Sequence, residues 1–188
     1  MVLPFFIMGA IQSNSAKIYL SIAEGKICRQ FLEATPTSKQ RVTKAGKLVH
    51  EEFYKGWTGK ITDVFVNDGE YGKRWVVVID DGEQIANLQF NYSSGYASTF
   101  LKAFPNVDLS QPVEIEPSMK VEGEKKRVSI FMRQNGQPIK WAFTKDNPNG
   151  LPPMEKLKVK GVETWDDTKM MEFLEIQAKN HLNPVMPF

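Results

Sequence analysis

Residues 56–143 alternate apolar runs and turn signals in an order that few folds accommodate: three strand-like runs, one short helical run, then further strand-like runs. Trp57 to Val66 (WTGKITDVFV) reads as a strand, with Gly59 near its start, where a glycine marks a bulge or a sheet corner. Asn67 to Gly72 is a loop rich in turn residues. Lys73 to Ile79 (KRWVVVI) is the strongest strand signal, dense in β-branched residues. A hairpin turn at Asp80-Asp81-Gly82-Glu83 leads into Gln84 to Phe90, with Ala86, Leu88 and Phe90 on one face. Then the period changes. Ser93 or Ser94 can cap a helix whose Tyr96, Ala97, Phe100, Leu101 and Phe104 share one side, and Pro105 stops it. Pro112 to Ile115 reads as a strand, Lys120 to Lys126 as a charged loop and Arg127 to Arg133 as a strand. Asn135-Gly136 is a hairpin turn, from which Pro138 to Phe143 returns.

The flanks divide the chain into 1–55, 56–143 and 144–188. Lys17 to Ala23 and Ile27 to Leu32 form a hairpin, residues 34–46 a basic loop with Lys39, Arg41 and Lys44, and Leu48 to Tyr54 an extended run. Residues 144–160 hold Pro148, Gly150, Pro152 and Pro153 and read as a linker or wrapping segment. Thr164 to Leu182 reads as a helix, with Thr164 and Asp167 as its capping box and Met170, Phe173, Leu174, Ala178 and Leu182 as its apolar stripe. The opening MVLPFFIMGAIQ is short, contains Pro4 and carries no leading positive charge, so it reads as a packed tail, or as sequence before a natural start at Met8, rather than a signal peptide or membrane span. Cys28 is the only cysteine, which rules out an internal disulfide and favours a reducing, cytoplasmic setting. A net charge of +2 means that any attraction for a charged partner must come from local patches.

Antiparallel strands must hide their edges, and closure into a barrel does so; a lone helix between the third and fourth strands can plug one end. The expected architecture is mostly β with α: an OB-fold-like five-stranded barrel with an N-terminal β-hairpin extension and a C-terminal helix. Four features carry a family likeness: Gly56-Trp57-Thr58-Gly59-Lys60-Ile61, the loop into Tyr71-Gly72-Lys73-Arg74-Trp75, the pair around Asp81-Gly82, and the capped helix before Pro105. With them the stretch resembles the OB-fold single-stranded DNA-binding proteins of bacteriophages. The ending Met186-Pro187-Phe188 resembles the Pro-Phe tail by which bacterial members dock replication and repair partners, but lacks their acidic residues. The resemblance implies protection of single-stranded DNA in replication, recombination or repair, with RNA as the alternative ligand, in a bacterial or phage-infected cytoplasm.

Sequence-tolerant binding of single strands needs aromatic platforms with cations beside them. The candidate platforms are Trp57, Tyr71, Trp75, Tyr92, Phe131 and Trp141. The candidate cations are Lys60, Lys73, Arg74, Lys125, Lys126, Arg127, Arg133 and Lys140. Each aromatic has core packing as its alternative, and Trp75 above all, because Val77 and Ile79 share its face. No phosphate-binding, dinucleotide, metalloprotease or hydrolase motif is present, His50 and His181 are isolated, and no cofactor, metal site or enzymatic activity is expected. The competing expectation is a β-barrel interaction module that oligomerises through apolar termini and the C-terminal helix.

Overall fold

The computed structural model describes residues 17–43, 45–70, 72–159 and 161–184. The chain is mostly β with two helices. Its strands are β1 (Lys17–Ala23), β2 (Lys26–Phe31), β3 (Lys39–Val42), β4 (Leu48–Tyr54), β5 (Trp57–Gly69), β6 (Gly72–Asp80) and β7 (Ile85–Asn91). After helix α1 (Gly95–Ala103) come β8 (Val113–Glu122), β9 (Lys125–Gln134), β10 (Gln137–Pro138), β11 (Glu155–Val159), β12 (Val162–Asp166) and helix α2 (Thr168–Leu182). Ten strands form one sheet in the order β10-β9-β8-β5-β6-β7-β1-β2-β4-β3, and β11 and β12 form a separate hairpin.

The sheet turns at β5. Trp57 to Gly59 pair with β8, and from Lys60 onward the strand pairs with β6, with a register shift between Ile61 and Asp63. Gly59 sits at the handover, where a Cβ would fall 2.6 Å from the Asp80 carbonyl oxygen, so only glycine fits. The sheet does not close on itself. The outer edge of β7 is taken by β1, in parallel, and the outer edge of β9 is met by β10 at Arg133 and Gln134 and by α1 at Val128 and Ile130. There the Ile130 N–H donates to Thr99 Oγ1 at 2.8 Å, and Gly95 lies so near Val128 that a Cβ would sit 2.7 Å from its carbonyl oxygen. A helix thus occupies the edge that strand-to-strand closure needs.

One core fills the curl. It joins Ile18 and Leu20 of β1, Trp75, Val77 and Ile79 of β6, Ala86, Leu88 and Phe90 of β7, Val113 and Ile115 of β8, and Ile130 and Met132 of β9. Ala97, Phe100 and Leu101 of α1 join them, as do Met170, Met171, Leu174 and Ala178 of α2. The stripe of α2 that the sequence offers as an oligomer interface is therefore spent on its own fold. Ser94 caps α1, accepting from the Ala97 N–H at 3.1 Å, and Pro105 ends it in a 3-10 turn. No helix among the described residues is long and apolar enough to cross a membrane.

Several boundaries differ from expectation. The basic loop 34–46 contains β3, an exposed edge strand whose KQRV carries no alternation to betray it. Much of the loop expected at 67–72 is strand, because β5 runs on to Gly69 and β6 begins at Gly72. The charged loop 120–126 is the tip of the β8–β9 hairpin, exposed on both faces and so free of any apolar pattern. The return strand 138–143 shrinks to Gln137–Pro138. Residues 144–154 are irregular, as a linker should be, but Glu155–Val159 pairs with Val162–Asp166, which takes in the first residues of the expected helix, as the β11–β12 hairpin. Hence α2 starts at Thr168, and the Thr164–Asp167 capping box does not form. Asp166 instead accepts from the Thr168 N–H at 3.0 Å.

Candidate nucleic-acid interface

The residues singled out from the sequence separate into three groups. The first is structural. Trp75, a candidate platform with core packing as its alternative, is 1% exposed and takes the alternative. Its ring stacks on Tyr92, centroids 5.6 Å apart, because Trp75, Val77 and Ile79 form the inner face of β6. Tyr92 is half-buried, donates from its hydroxyl to Glu175 at 3.0 Å and has the Lys73 ammonium 5.5 Å from its ring centre. Burial and the Glu175 carboxylate raise its pKa. Trp57 packs edge-on against Tyr54 at 5.5 Å, at the margin of the core. Neither Trp75, Tyr92 nor Trp57 is a free platform.

The second group lies on the outer face of β8 and β9, where acids answer it. Arg133 reaches Glu116 at 2.7 Å and Glu114 at 3.6 Å, and Arg127 reaches Glu122 at 3.0 Å. The Arg133 guanidinium holds the Glu116 carboxyl below its usual range. Lys125 and Lys126 stand exposed at the hairpin tip. Phe131 and Trp141 are exposed and line one small cleft of about 70 Å³, with the Lys102 ammonium 5.6 Å from the Trp141 ring centre. Lys140 is exposed, and its carbonyl accepts from Asn106 Nδ2 at 2.9 Å. Tyr71, Met186, Pro187 and Phe188 lie outside the described residues.

The third group, Arg74 with Lys60, opens onto a face that sequence reasoning did not assemble. Register places Phe65, Val76, Gln89, Ser21, Cys28 and Phe53 in one cross-strand row over β5, β6, β7, β1, β2 and β4. Five strand spacings make that row about 24 Å long. Phe65 and Phe53 stand partly exposed at its two ends, and Tyr19, 64% exposed, rises beside its middle. Three clefts open along it. One of about 590 Å³ is lined by Lys17, Tyr19, Ser21, Gln30, Arg74 and Gln89. One of about 240 Å³ runs on past Asn91 and Ser94, and one of about 470 Å³ lies over Lys26, Lys39, Arg41 and Phe53, with Glu24 and Glu51 also in its wall.

Charge on this face is mostly uncompensated. Among the described residues, no carboxylate lies within ion-pair distance of Lys17, Lys26, Lys39 or Arg74. The one buried acid, Glu51, is held by Arg41 through Nε at 2.8 Å and Nη2 at 2.5 Å, and by Gln30 Nε2 at 3.0 Å. The Arg41 fork keeps the Glu51 carboxyl below its usual range against the opposing effect of burial. Burial, with Glu51 beside it, pushes the Cys28 thiol up, so Cys28 is an inert packing residue. Outward alternation of Tyr19 and Ser21, and of Asn87, Gln89 and Asn91, is a usable signal. No protein-family model, no curated protein and no solved structure matches this chain.

Proposed function

We propose that the chain binds single-stranded nucleic acid, with DNA as the first ligand to test, across the outer face of β5, β6, β7, β1, β2 and β4. The observation that carries this reading is the cross-strand row, about 24 Å long, with aromatic rings at its ends and middle and uncompensated cations along its flanks. Bases stack on Phe65, Tyr19 and Phe53; phosphates meet Lys17, Arg74, Lys26 and Lys39. Each stacked base contributes roughly 1–3 kcal/mol, so three platforms and several cations give useful affinity despite a net charge near zero.

The order of β5 to β9, with α1 between the third and fourth strands, supports reading this unit as OB-fold-like. In that fold the second and third strands, here β6 and β7, face the oligonucleotide. A protective role for DNA strands in replication, recombination or repair follows from binding of this kind. The test is an anisotropy titration of a labelled 16-mer at two salt concentrations. Binding that weakens with salt is expected for every oligonucleotide sequence. An unchanged signal at low salt ends the proposal.

A further inference from the structure

We infer that β7 carries a base-reading strip, Asn87, Gln89 and Asn91, that favours adenine over cytosine; this rests on the binding reading above. The three carboxamides project from the outer face of one strand, at alternate positions about 6.7 Å apart. They occupy the middle of the groove: Asn87 lies opposite Tyr19 and Val78, Gln89 opposite Ser21 and Val76, and Asn91 opposite Arg74. Gln89 lines two of the clefts and Asn91 one of them. Among the described residues none of the three side-chain amides is engaged in a hydrogen bond; Asn91 accepts from Ser94 only through its backbone carbonyl.

An amide offers one donor and one acceptor side by side, and Asn or Gln pairs in this way with the N6 and N7 edge of adenine. A strand held by stacking exposes those edges to the groove floor. Cytosine is matched by a free carboxylate accepting from its N4 amine. None stands on β7 itself: Glu51, on β4, is taken by Arg41 and Gln30, Asp63 and Asp80 lie on β5 and β6, and Glu24 stands at the far end of the groove, in the cleft over Lys26 and Lys39. The floor therefore selects by what it can donate and accept together.

Thymine 16-mers carrying four adenines or four cytosines test the strip, with anisotropy as the readout. The wild-type chain is expected to bind the adenine-bearing oligonucleotide at least about fivefold more tightly. N87T/Q89T/N91T is expected to bind both equally, with its salt dependence unchanged, since threonine keeps the strand and no phosphate contact is removed. Q89E adds a carboxylate and should move the preference toward cytosine, which checks the strip even if the triple variant folds poorly. Equal binding by the wild type overturns the strip and leaves the groove standing. So does a preference that survives N87T/Q89T/N91T, because stacking would then be its source. No binding to either oligonucleotide overturns the groove itself.

Discussion

Lys73 and Arg74 precede Trp75 in the basic setting that suits a stacking platform, yet the ring lies parallel to Tyr92 inside the core and its indole N–H has no partner among the described residues. Trp75→Ala is expected to cost about 3–5 kcal/mol of stability, as removal of a large buried ring does, seen as a lower urea midpoint. Tyr19 is the contrasting case, a ring in the open beside a cleft. Tyr19→Ala should weaken oligonucleotide binding by about five- to a hundredfold while leaving the thermal midpoint in place. Glu51 gives a pH signature. Its carboxyl is depressed in the fold, so the stability it contributes is present above the ordinary carboxylate pKa and is lost as pH falls through the lower, folded value. Between pH 6 and pH 3 the thermal midpoint of the wild type should therefore approach that of Glu51→Gln; a constant gap between them would show that the Arg41 fork adds nothing.

At the scale of elements, patterned segments were readable and unpatterned ones were not. KRWVVVI, the Asp-Gly turn and the Ser94-to-Pro105 helix announce themselves because one face of each is buried and the other wet. β3, the β8–β9 tip and the β11–β12 hairpin have little or no buried side, so charged residues dominate their sequence and imitate loops. Pairing partners were hidden for another reason. The N-terminal hairpin is recognisable by itself, but nothing in residues 17–23 names Ile85 to Gln89 as their parallel neighbours. Its turn is nevertheless pinned to the body at Gly25, where φ is 74° and a Cβ would fall 2.4 Å from the Met119 backbone nitrogen. Gly25→Ala should then both strain the turn and push it off β8, costing more stability than the roughly 1 kcal/mol of a simple glycine effect, seen as a lower urea midpoint. A midpoint equal to wild type would mean that the β1–β2 turn does not bear on β8.

Across the whole molecule, cations fall into two electrostatic zones, and this division was the part of the site that the sequence could not supply. Counting lysines and arginines along the chain gives Arg127 and Arg133 the same standing as Lys17 and Arg74. Folding gives the first pair Glu122, Glu114 and Glu116 as neighbours and leaves the second pair unanswered among the described residues. Counterion release distinguishes the zones, because only a cation that meets a phosphate adds to the salt slope, by about 0.7 per contact on a single strand. Lys17→Ala and Arg74→Ala should each reduce the slope of log affinity against log salt by about that amount, roughly additively, since they lie on different strands. Arg127→Ala should leave the slope unchanged, its charge already being met by Glu122. Titrations at four or five salt concentrations separate the outcomes. If Arg127→Ala flattens the slope and Lys17→Ala does not, nucleic acid lies along β8 and β9 and the row from Phe65 to Phe53 is only the outside of the sheet.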